Sequence, residues 1–439
     1  MENPRAVAAK ILQQIIFDGR SLSSLIPQQL SCIDESKDKA LAQAIVFGVM
    51  RWFETLDFIT VGLLKSPLKE KDKDILVLML MGIYQLRDMR VPEYAAISET
   101  VKLVPKKKRI WAKGLLNAVL RQYQRNKKEI EETVADDLEA KTSHPGWLLE
   151  RLQTDWPDKW SDIIDANNSQ GTMTLRVNVH KNTRNEYLAL LSEKGVEAEP
   201  TRFSDYGIVL TSAVDVNMLP GFDKGLVSVQ DEAAQLAAQL LAPQKGDLIL
   251  DACSAPGGKT AALLEREPGA RVTALDVSPQ RLEQVEQTLR RLSLKAETRA
   301  ADAKSLADIF PAAHFDRILL DVPCSATGVI RRNPDVKFHR TSDDIVAVVE
   351  TQKEILDAAW KVLKPGGVLL YATCSIIRDE NDKQIAKFIQ QNSDAQEITI
   401  SADWGIAVNA GRQIIPGQNG MDGFYYALLC KLDAAQTIA

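Results

Sequence analysis

Cysteine and histidine are scarce in this chain of 439 residues, which contains five cysteines and four histidines. The cysteines show no CxxC spacing, so they indicate neither a disulfide framework nor a cysteine-rich zinc site. No HExxH motif is present, and the histidines lie far apart in sequence, at His144, His180, His314 and His339. The sequence therefore predicts no metal site.

Long apolar runs are also missing. The longest, Ile75 to Tyr84, covers ten residues, whereas a helix needs about 20 to cross a bilayer. The first residues, MENPRAVAAK, carry an early acid and no apolar core, which does not fit a secretory signal. We therefore expect a cytoplasmic protein, and its length predicts about two to four domains.

Positive charge is not in excess, because the formal net charge is -5, and this argues against a nucleic-acid partner. The segment 100–128 nevertheless contains ten Lys or Arg residues and no acid, together with Trp111 and Tyr123. Such a stripe fits a phosphate-binding surface about as well as it fits a solvated helix face. Its candidate RNA-binding residues are Lys106, Lys107, Lys108 and Arg109.

The periodicity of apolar residues divides the chain into three predicted domains. Residues 1–140 read as an all-α domain that ends in an acidic connector at 129–140, and 141–231 read as a small α+β linking domain. Residues 232–439 alternate near-continuous apolar strands with helices, which is typical of a doubly wound parallel sheet. The predicted fold class is therefore α/β, with two smaller domains before the α/β domain.

A glycine-containing loop follows the first predicted strand of the α/β domain, in DLILDACSAPGGKTAALL (247–264). It is not a P-loop, because that motif needs glycine where Cys253 stands. Acids end or follow the next three strands, at Asp276, Asp302 and Asp321. Because ligands of open α/β sheets bind at the carboxyl edge, this order predicts a nucleoside cofactor. S-adenosylmethionine fits better than a dinucleotide, because the loop shows no evident cradle for a pyrophosphate group.

Two cysteines, Cys324 and Cys374, each follow the last apolar residues of a predicted central strand, and each precedes a serine. Both should lie in the cofactor cleft. A thiolate that adds to C6 of a pyrimidine makes C5 nucleophilic enough to take a methyl group, and a second group must then assist release. The pair predicts carbon methylation of cytosine or uracil. Spacing alone leaves open which cysteine attacks, since DNA cytosine methyltransferases use a Pro-Cys cysteine, here Cys324.

The motifs CSAPGGKT, DVPCSATGVIRRNPD and YATCS resemble the signature motifs of the RNA cytosine-C5 methyltransferases. Over nearly the whole chain, the layout is similar to family members that act on 16S ribosomal RNA and carry a NusB-like RNA-binding domain before a Rossmann-like catalytic domain. The resemblance implies that Cys374 is the nucleophile and that Cys324 helps to release the product. The S-adenosylmethionine site that it implies consists of Cys253, Ser254, Ala255, Pro256, Gly257, Gly258, Lys259, Asp276, Asp302 and Asp321.

The basic segment after Cys324, GVIRRNPDVKFHR (328–340), carries the other candidate RNA-binding residues, Arg331 and Arg332. We expect a monomer. Alternative hypotheses keep the chemistry but change the substrate to transfer RNA or to large-subunit ribosomal RNA, or take the chain as a non-enzymatic RNA-binding or assembly protein. A redox role for the cysteine pair is disfavoured, because no CxxC lies at a strand-to-helix turn.

Overall fold

The computed structural model describes residues 2–104 and 109–433. Within them the chain forms two compact units. The first, called the helical unit, contains the described residues up to Ser169 and the later segment Ile330–Thr341. The second, called the mixed unit, contains Gln170–Val329 and the described residues from Ser342 onward. The predicted boundaries at 140/141 and 231/232 stay predictions.

The helical unit contains no strand in its described part. Besides a short helix at Val336–His339 and a 3-10 turn at Glu70–Asp72, its helices are α1 (Pro4–Asp18), α2 (Leu22–Leu30), α3 (Ser36–Arg51), α4 (Phe53–Leu63), α5 (Lys73–Asp88), α6 (Glu93–Lys102), α7 (Ile110–Asp136), α8 (Leu138–Thr142), α9 (Gly146–Asp155) and α10 (Trp160–Asn168).

Helix α1 shows how sequence signals set these elements. The side chain of Asn3 accepts a hydrogen bond from the Arg5 N–H, Pro4 opens the helix, and Gly19 ends it with a φ of 65°. Its predicted apolar face is buried, with Ile11 among its members. The acidic segment 129–140 differs from the predicted connector: α7 continues to Asp136, with one non-helical residue at Asn126.

The segment Ile330–Thr341 is fixed within the helical unit by buried polar contacts. The Lys337 ammonium donates to the carbonyl oxygens of Arg51 at 2.7 Å and Ser143 at 2.6 Å, and to Asn168 Oδ1 at 3.1 Å. The Asp335 carboxylate accepts a hydrogen bond from the Leu22 N–H at 2.8 Å. Lys337 is only 4% exposed, and burial together with the nearby Arg51 charge lowers its pKa to about 7.

Replacing Lys337 with Met should lower the free energy of unfolding by about 2–3 kcal/mol, because the buried Ser143 carbonyl and two partly buried acceptors lose their donor. The folded-state pKa of Lys337 lies below its unfolded value, so the unfolded state binds more protons and the wild-type stability rises with pH between the two values. The stability gap between wild type and Lys337→Met should therefore widen from pH 7 to pH 9. Urea unfolding at both pH values measures this, with Lys37→Met as an exposed control; equal stability of wild type and Lys337→Met would contradict the prediction.

The mixed unit begins with a small antiparallel sheet, whose strands pair in the order β2-β3-β1-β4. They are β1 (Thr174–Val177), β2 (Ala198–Pro200), β3 (Gly207–Leu210) and β4 (Val227–Val229), and α11 (Arg184–Glu193) packs on them. Thr183 and Glu186 form a reciprocal capping box at the start of α11. This α+β arrangement was predicted.

A larger sheet follows, with the order β11-β12-β13-β9-β8-β5-β6-β7 and with β10 paired to β13. Its strands are β5 (Leu248–Ala252), β6 (Arg271–Asp276), β7 (Glu297–Ala300), β8 (Phe315–Asp321), β9 (Leu363–Thr373), β10 (Ala395–Ile398), β11 (Ile406–Ala407), β12 (Arg412–Ile414) and β13 (Phe424–Lys431). Its helices are α12 (Glu232–Leu241), α13 (Gly258–Arg266), α14 (Pro279–Leu292), α15 (Leu306–Ile309), α16 (Ser342–Val362) and α17 (Asp382–Gln391).

Strands β5 to β9 are parallel to their neighbours within that group, and β13 joins β9 antiparallel. Buried side chains lie in two clusters that both include residues of these strands and of the helices. The chain runs from β5 to β6 and β7 on one side, then returns to β8 and β9 on the other. The predicted doubly wound sheet is confirmed, with an antiparallel extension formed by the last strands. Its switch point lies between β5 and β8, where ligands of such sheets bind.

Candidate active site

The loop after β5 is shaped by two residues in the left-handed region. Cys253 has a φ of 65° and Gly257 a φ of 95°. A Cβ on Gly257 would lie 3.1 Å from the Val285 Cα, so glycine allows α14 to approach. The Ser254 N–H donates to the Leu275 carbonyl at 2.9 Å, and the Gly257 N–H donates to the Ser254 carbonyl at 2.8 Å. The predicted residues 253–259 thus form one turn that opens α13.

Two buried oxygens beside this loop have no hydrogen-bond partner within the described residues, Ser254 Oγ and Asp251 Oδ1. The other carboxylate oxygen of Asp251 accepts from the Thr260 hydroxyl at 2.6 Å, and burial raises the pKa of Asp251 to about 7. Because buried polar atoms are normally satisfied, such orphan groups fit a pocket that receives a polar ligand. Sequence reasoning missed Asp251, whose only signal is an acid inside an apolar strand.

Asp276 ends β6, and its carboxylate contacts the loop after β5. One carboxylate oxygen accepts from the Ser278 N–H at 3.0 Å and the other from the Ala255 N–H at 3.3 Å. The Arg281 guanidinium lies 3.4 Å away. The side chain is 1% exposed, so this carboxylate joins the loop after β5 to the end of β6, and its contact with a cofactor stays a prediction.

The other two predicted acids differ in their surroundings. Asp302 is exposed and caps a 3-10 turn by accepting from the Lys304 N–H at 2.9 Å. Asp321 pairs with the Lys259 ammonium at 2.7 Å. Burial alone would lower the pKa of Lys259, but the charge and hydrogen bond of Asp321 outweigh it, and the net pKa is raised. The ammonium also lies 5.1 Å from the centre of the Phe424 ring.

The two cysteines meet at the same edge of the sheet. The Sγ atoms of Cys324 and Cys374 lie 3.3 Å apart, and both side chains are partly exposed. The hydrogen bond with Cys374, burial and nearby negative charges raise the pKa of Cys324 well above its ordinary value. The negative charge of an ionised Cys374 in turn favours the protonated form of Lys259. The edge therefore holds two thiols and one ammonium group beside the cofactor loop.

A buried carboxylate explains why each cysteine precedes a serine. Glu380 Oε1 accepts from the hydroxyls of Ser325 at 2.6 Å and Ser375 at 2.5 Å. Its Oε2 atom accepts from the Ser325 N–H at 2.8 Å and the Gln352 amide at 3.0 Å. Glu380 is fully buried. Sequence reasoning missed this residue, because nothing in its local pattern shows that two distant loops converge on it.

The predicted RNA-binding residues fall into three groups. Lys106, Lys107 and Lys108 lie outside the described residues. Arg109 pairs with Asp74 and Asp72 and donates to the Lys71 carbonyl at 2.7 Å. In the segment after Cys324, Arg331 is 4% exposed and Arg332 is half-buried. Their roles in RNA binding stay predictions.

Comparison with known proteins decides the family. The model of the NusB family matches residues 2–125, that of the RsmF/B-like ferredoxin-like domain 144–217, and that of the 16S rRNA methyltransferase RsmB/F 238–430. The ribosomal RNA small subunit methyltransferase B of Pseudomonas putida is 47% identical over 435 residues, covering 99% of this chain and 100% of the relative. The chain belongs to the ribosomal RNA small subunit methyltransferase B family.

A second member of the methyltransferase B family, from Vibrio cholerae, is 47% identical over 429 residues and covers 98% of both chains. Among solved structures, a methyltransferase homolog protein from Pyrococcus horikoshii is 26% identical, with a TM-score of 0.60; the match covers 67% of this chain and 97% of that one. The predicted fold class and resemblance are confirmed: a NusB-like domain, a ferredoxin-like linking domain and a Rossmann-like catalytic domain.

Membership in the methyltransferase B family makes this chain an S-adenosylmethionine-dependent methyltransferase, as predicted. The orphan oxygens and the strand-end acids fit that cofactor. Among residues 2–104 and 109–433, no set of three or more His, Cys, Asp or Glu side chains is arranged to hold a metal ion. No helix in the same part of the chain combines the length and apolar character needed to cross a membrane.

Replacing Asp276 with Ala should weaken S-adenosylmethionine binding by about 1.5–3 kcal/mol. The predicted charge-assisted hydrogen bond to the cofactor is lost, and the Ala255 N–H in the loop loses its acceptor. Isothermal titration calorimetry measures the dissociation constant. Asp308→Ala, which removes an exposed acid from α15, serves as the control and should bind normally. An unchanged dissociation constant for Asp276→Ala would remove this residue from the site.

Proposed function

We propose that this protein methylates C5 of a cytosine in 16S ribosomal RNA, with Cys374 as the nucleophile and Cys324 as the group that assists release. The observation that carries the proposal is the 3.3 Å separation of the two sulfurs at the edge of the sheet that bears the cofactor loop. When bound there, S-adenosylmethionine supplies an electrophilic methyl group. Two thiols at that place match a reaction that both makes and breaks a bond between sulfur and carbon.

A hydrogen-bond donor and a cation act on the Cys374 sulfur. The Cys324 S–H can donate to it across 3.3 Å, and the Lys259 ammonium, held by Asp321, adds a positive charge that acts on it. A thiolate, not a thiol, is the nucleophile. In the proposed first step the Cys374 sulfur bonds to C6 of the cytosine and the C5–C6 double bond opens. C5 then takes the methyl group as the bond between that group and the sulfonium sulfur of the donor breaks.

Release requires a base. Once the Cys324 thiol has lost its own proton to solvent, its sulfur takes the C5 proton. The C5–C6 double bond then reforms, and the bond between C6 and sulfur breaks to restore the Cys374 thiolate. The largest cause of the raised Cys324 pKa is its hydrogen bond with Cys374, and that cause disappears once the Cys374 sulfur is bound to carbon. Cys324 is therefore held as a thiol while the Cys374 sulfur is free, and adduct formation removes the largest of the effects that raise its pKa.

The remaining assignments belong to the same proposal. Residues 253–259 with Asp276, Asp302 and Asp321 would hold the cofactor, and the basic residues at 106–109 and 331–332 would contact RNA. The protein would act as a monomer in the cytoplasm. The names of the relatives support small-subunit ribosomal RNA over transfer RNA or large-subunit RNA as the substrate. Both cysteines and the cofactor loop are present, which favours an enzyme over an assembly protein.

Replacing each cysteine with alanine should block the reaction at a different step. Cys374→Ala should give neither methylated product nor covalent complex, whereas Cys324→Ala should form the adduct and stall before release. Denaturing electrophoresis with labelled 16S RNA should therefore show a shifted protein band for Cys324→Ala only, and the double variant should show none. An adduct in Cys374→Ala but not in Cys324→Ala would reverse the roles. The absence of any adduct would reject covalent catalysis by this pair.

Glu380→Ala should lower kcat on RNA by about a hundredfold, because the two cysteine loops lose their shared acceptor and small displacements of reacting groups cost that much. The affinity for S-adenosylmethionine should stay within about twofold, since the hydrogen bonds of Glu380 in the described structure do not involve residues 253–259. Glu380→Gln, which keeps the shape and part of the accepting capacity, should recover some turnover.

The matched control for Glu380 is Glu350→Ala, an exposed acid on α16, which should behave as wild type. Circular dichroism melting separates a local effect from loss of the fold. A kcat for Glu380→Ala within about threefold of wild type, in a folded protein, would contradict a positioning role.

A further inference from the structure

The helical unit contains a cavity of about 710 Å³ beside the start of α7, within the size range of small-ligand sites. Its apolar part is formed by Leu64, Leu68, Leu115 and Val119, and its polar part includes Lys65, Lys69 and Lys71. Arg109, one of the predicted RNA-binding residues, also lines the cavity, but it pairs with Asp72, another lining residue. None of the lining residues belongs to the cofactor loop or the cysteine pair. The cavity therefore needs an account of its own.

The three lysines are available for a ligand. Lys65, Lys69 and Lys71 are exposed, and their ammonium groups form no ion pair with any residue in the ranges 2–104 and 109–433. Of the acids beside them, Glu70 pairs with Lys73 and Asp72 pairs with Arg109. Repelling charges without counter-ions on one short stretch favour an anionic partner, and an extended polyanion can meet several of them at once.

An aromatic ring lies at the same cavity. Trp111, in the first turn of α7, also lines it and remains 50% exposed. An exposed tryptophan beside unpaired lysines is the combination that single-stranded nucleic acids use, because bases stack on the ring while phosphates meet the ammonium groups. A free phosphate or an acidic peptide would use the lysines but has no base to stack on the indole.

The neighbouring cavity has the opposite charge. It has a volume of about 800 Å³ and shares only Leu63 and Gln122 with the first. Its charged lining residues are all acids: Glu54, Asp57, Glu129, Asp137 and Glu139. An anionic strand is attracted to one cavity and repelled from the other, so the charge pattern confines where such a strand can lie.

We propose that the cavity of Lys65, Lys69, Lys71 and Trp111 binds a single-stranded segment of RNA, with one base stacked on Trp111 and the adjacent phosphates on the lysines. The inference rests on the proposed function only in taking RNA as the class of partner. It adds a contact that serves substrate capture and not methyl transfer.

The probe is a fluorescently labelled dodecamer of uridine, which contains no cytosine, and the readout is anisotropy with the full chain at several salt concentrations. Replacing Lys65, Lys69 and Lys71 together with Glu should weaken binding at least tenfold. The slope of log affinity against log salt should fall by about two, the value for three lost phosphate contacts on a single strand. Lys10, Lys37 and Lys141, which are exposed in the same unit and line neither cavity, provide a triple Glu control with the same change of charge and should lose less than threefold.

The stacking contact has its own test. Trp111→Ala should weaken binding of the dodecamer by about 5-fold to 100-fold, without changing the salt slope. Trp111→Phe, which keeps an aromatic face, should stay within about threefold of wild type. Circular dichroism and S-adenosylmethionine titration verify that each variant is folded.

The proposal is overturned if the Lys65/Lys69/Lys71 variant loses no more affinity than its control, or if Trp111→Ala binds as wild type does. Loss of binding to a polyglutamate peptide with unchanged affinity for the dodecamer would assign the cavity to an acidic protein and also overturn it. Methylation of 16S RNA by the wild type, assayed in parallel, separates this failure from failure of the proposed function.

Discussion

The geometry of the candidate active site depends on one buried carboxylate. Glu380 follows β9 by several residues and receives the hydroxyls of Ser325 and Ser375, so the loops after β8 and β9 are tied to a common acceptor. The two serine hydroxyls also lie 3.1 Å from each other, and the Gly328 N–H donates to the Cys374 carbonyl, so Glu380 is the centre of a small network that joins the loops. A buried carboxylate is costly unless its oxygens are satisfied. Four donors satisfy the Glu380 carboxylate. Displacement of either loop would leave one of its oxygens without a donor, so a single arrangement of the two sulfurs is favoured.

Close packing of backbone enforces the same arrangement from the other side. A Cβ on Gly328 would lie 2.1 Å from the Gly423 carbonyl oxygen and 2.8 Å from that of Cys374. Gly423 lies just before β13, the strand that pairs with β9. The antiparallel extension of the sheet is therefore part of the site, because it brings a third segment against the loop that carries Cys324. A Rossmann-like sheet that ended at β9 would leave that loop uncovered.

Much of this site was predictable from the sequence, for a physical reason. Parallel strands buried on both faces read as apolar runs, and their carboxyl ends must meet at one edge, so the residues after each run converge. On this ground Asp276, Asp321, Cys324 and Cys374 are predicted from the sequence to lie together. The sequence pattern does not identify Glu380, because the hydrogen bonds of Glu380 join residues far apart along the chain.

Charge was harder to interpret than apolar pattern. A run of basic residues looks the same in sequence whether its side chains meet solvent, RNA or the protein interior. Lys337 was predicted within a basic loop, yet its ammonium is buried and satisfied by three oxygens of the helical unit. Lys65, Lys69 and Lys71 are spread among apolar residues in the sequence, yet they form no ion pair with any residue in the described parts of the chain. Because the sign of a charge in the sequence does not report whether the fold has already neutralised it, a net charge of -5 says little about RNA binding. What matters is that the fold leaves some cations without counter-ions and separates them from its acids, and the two adjacent cavities of the helical unit have that distribution.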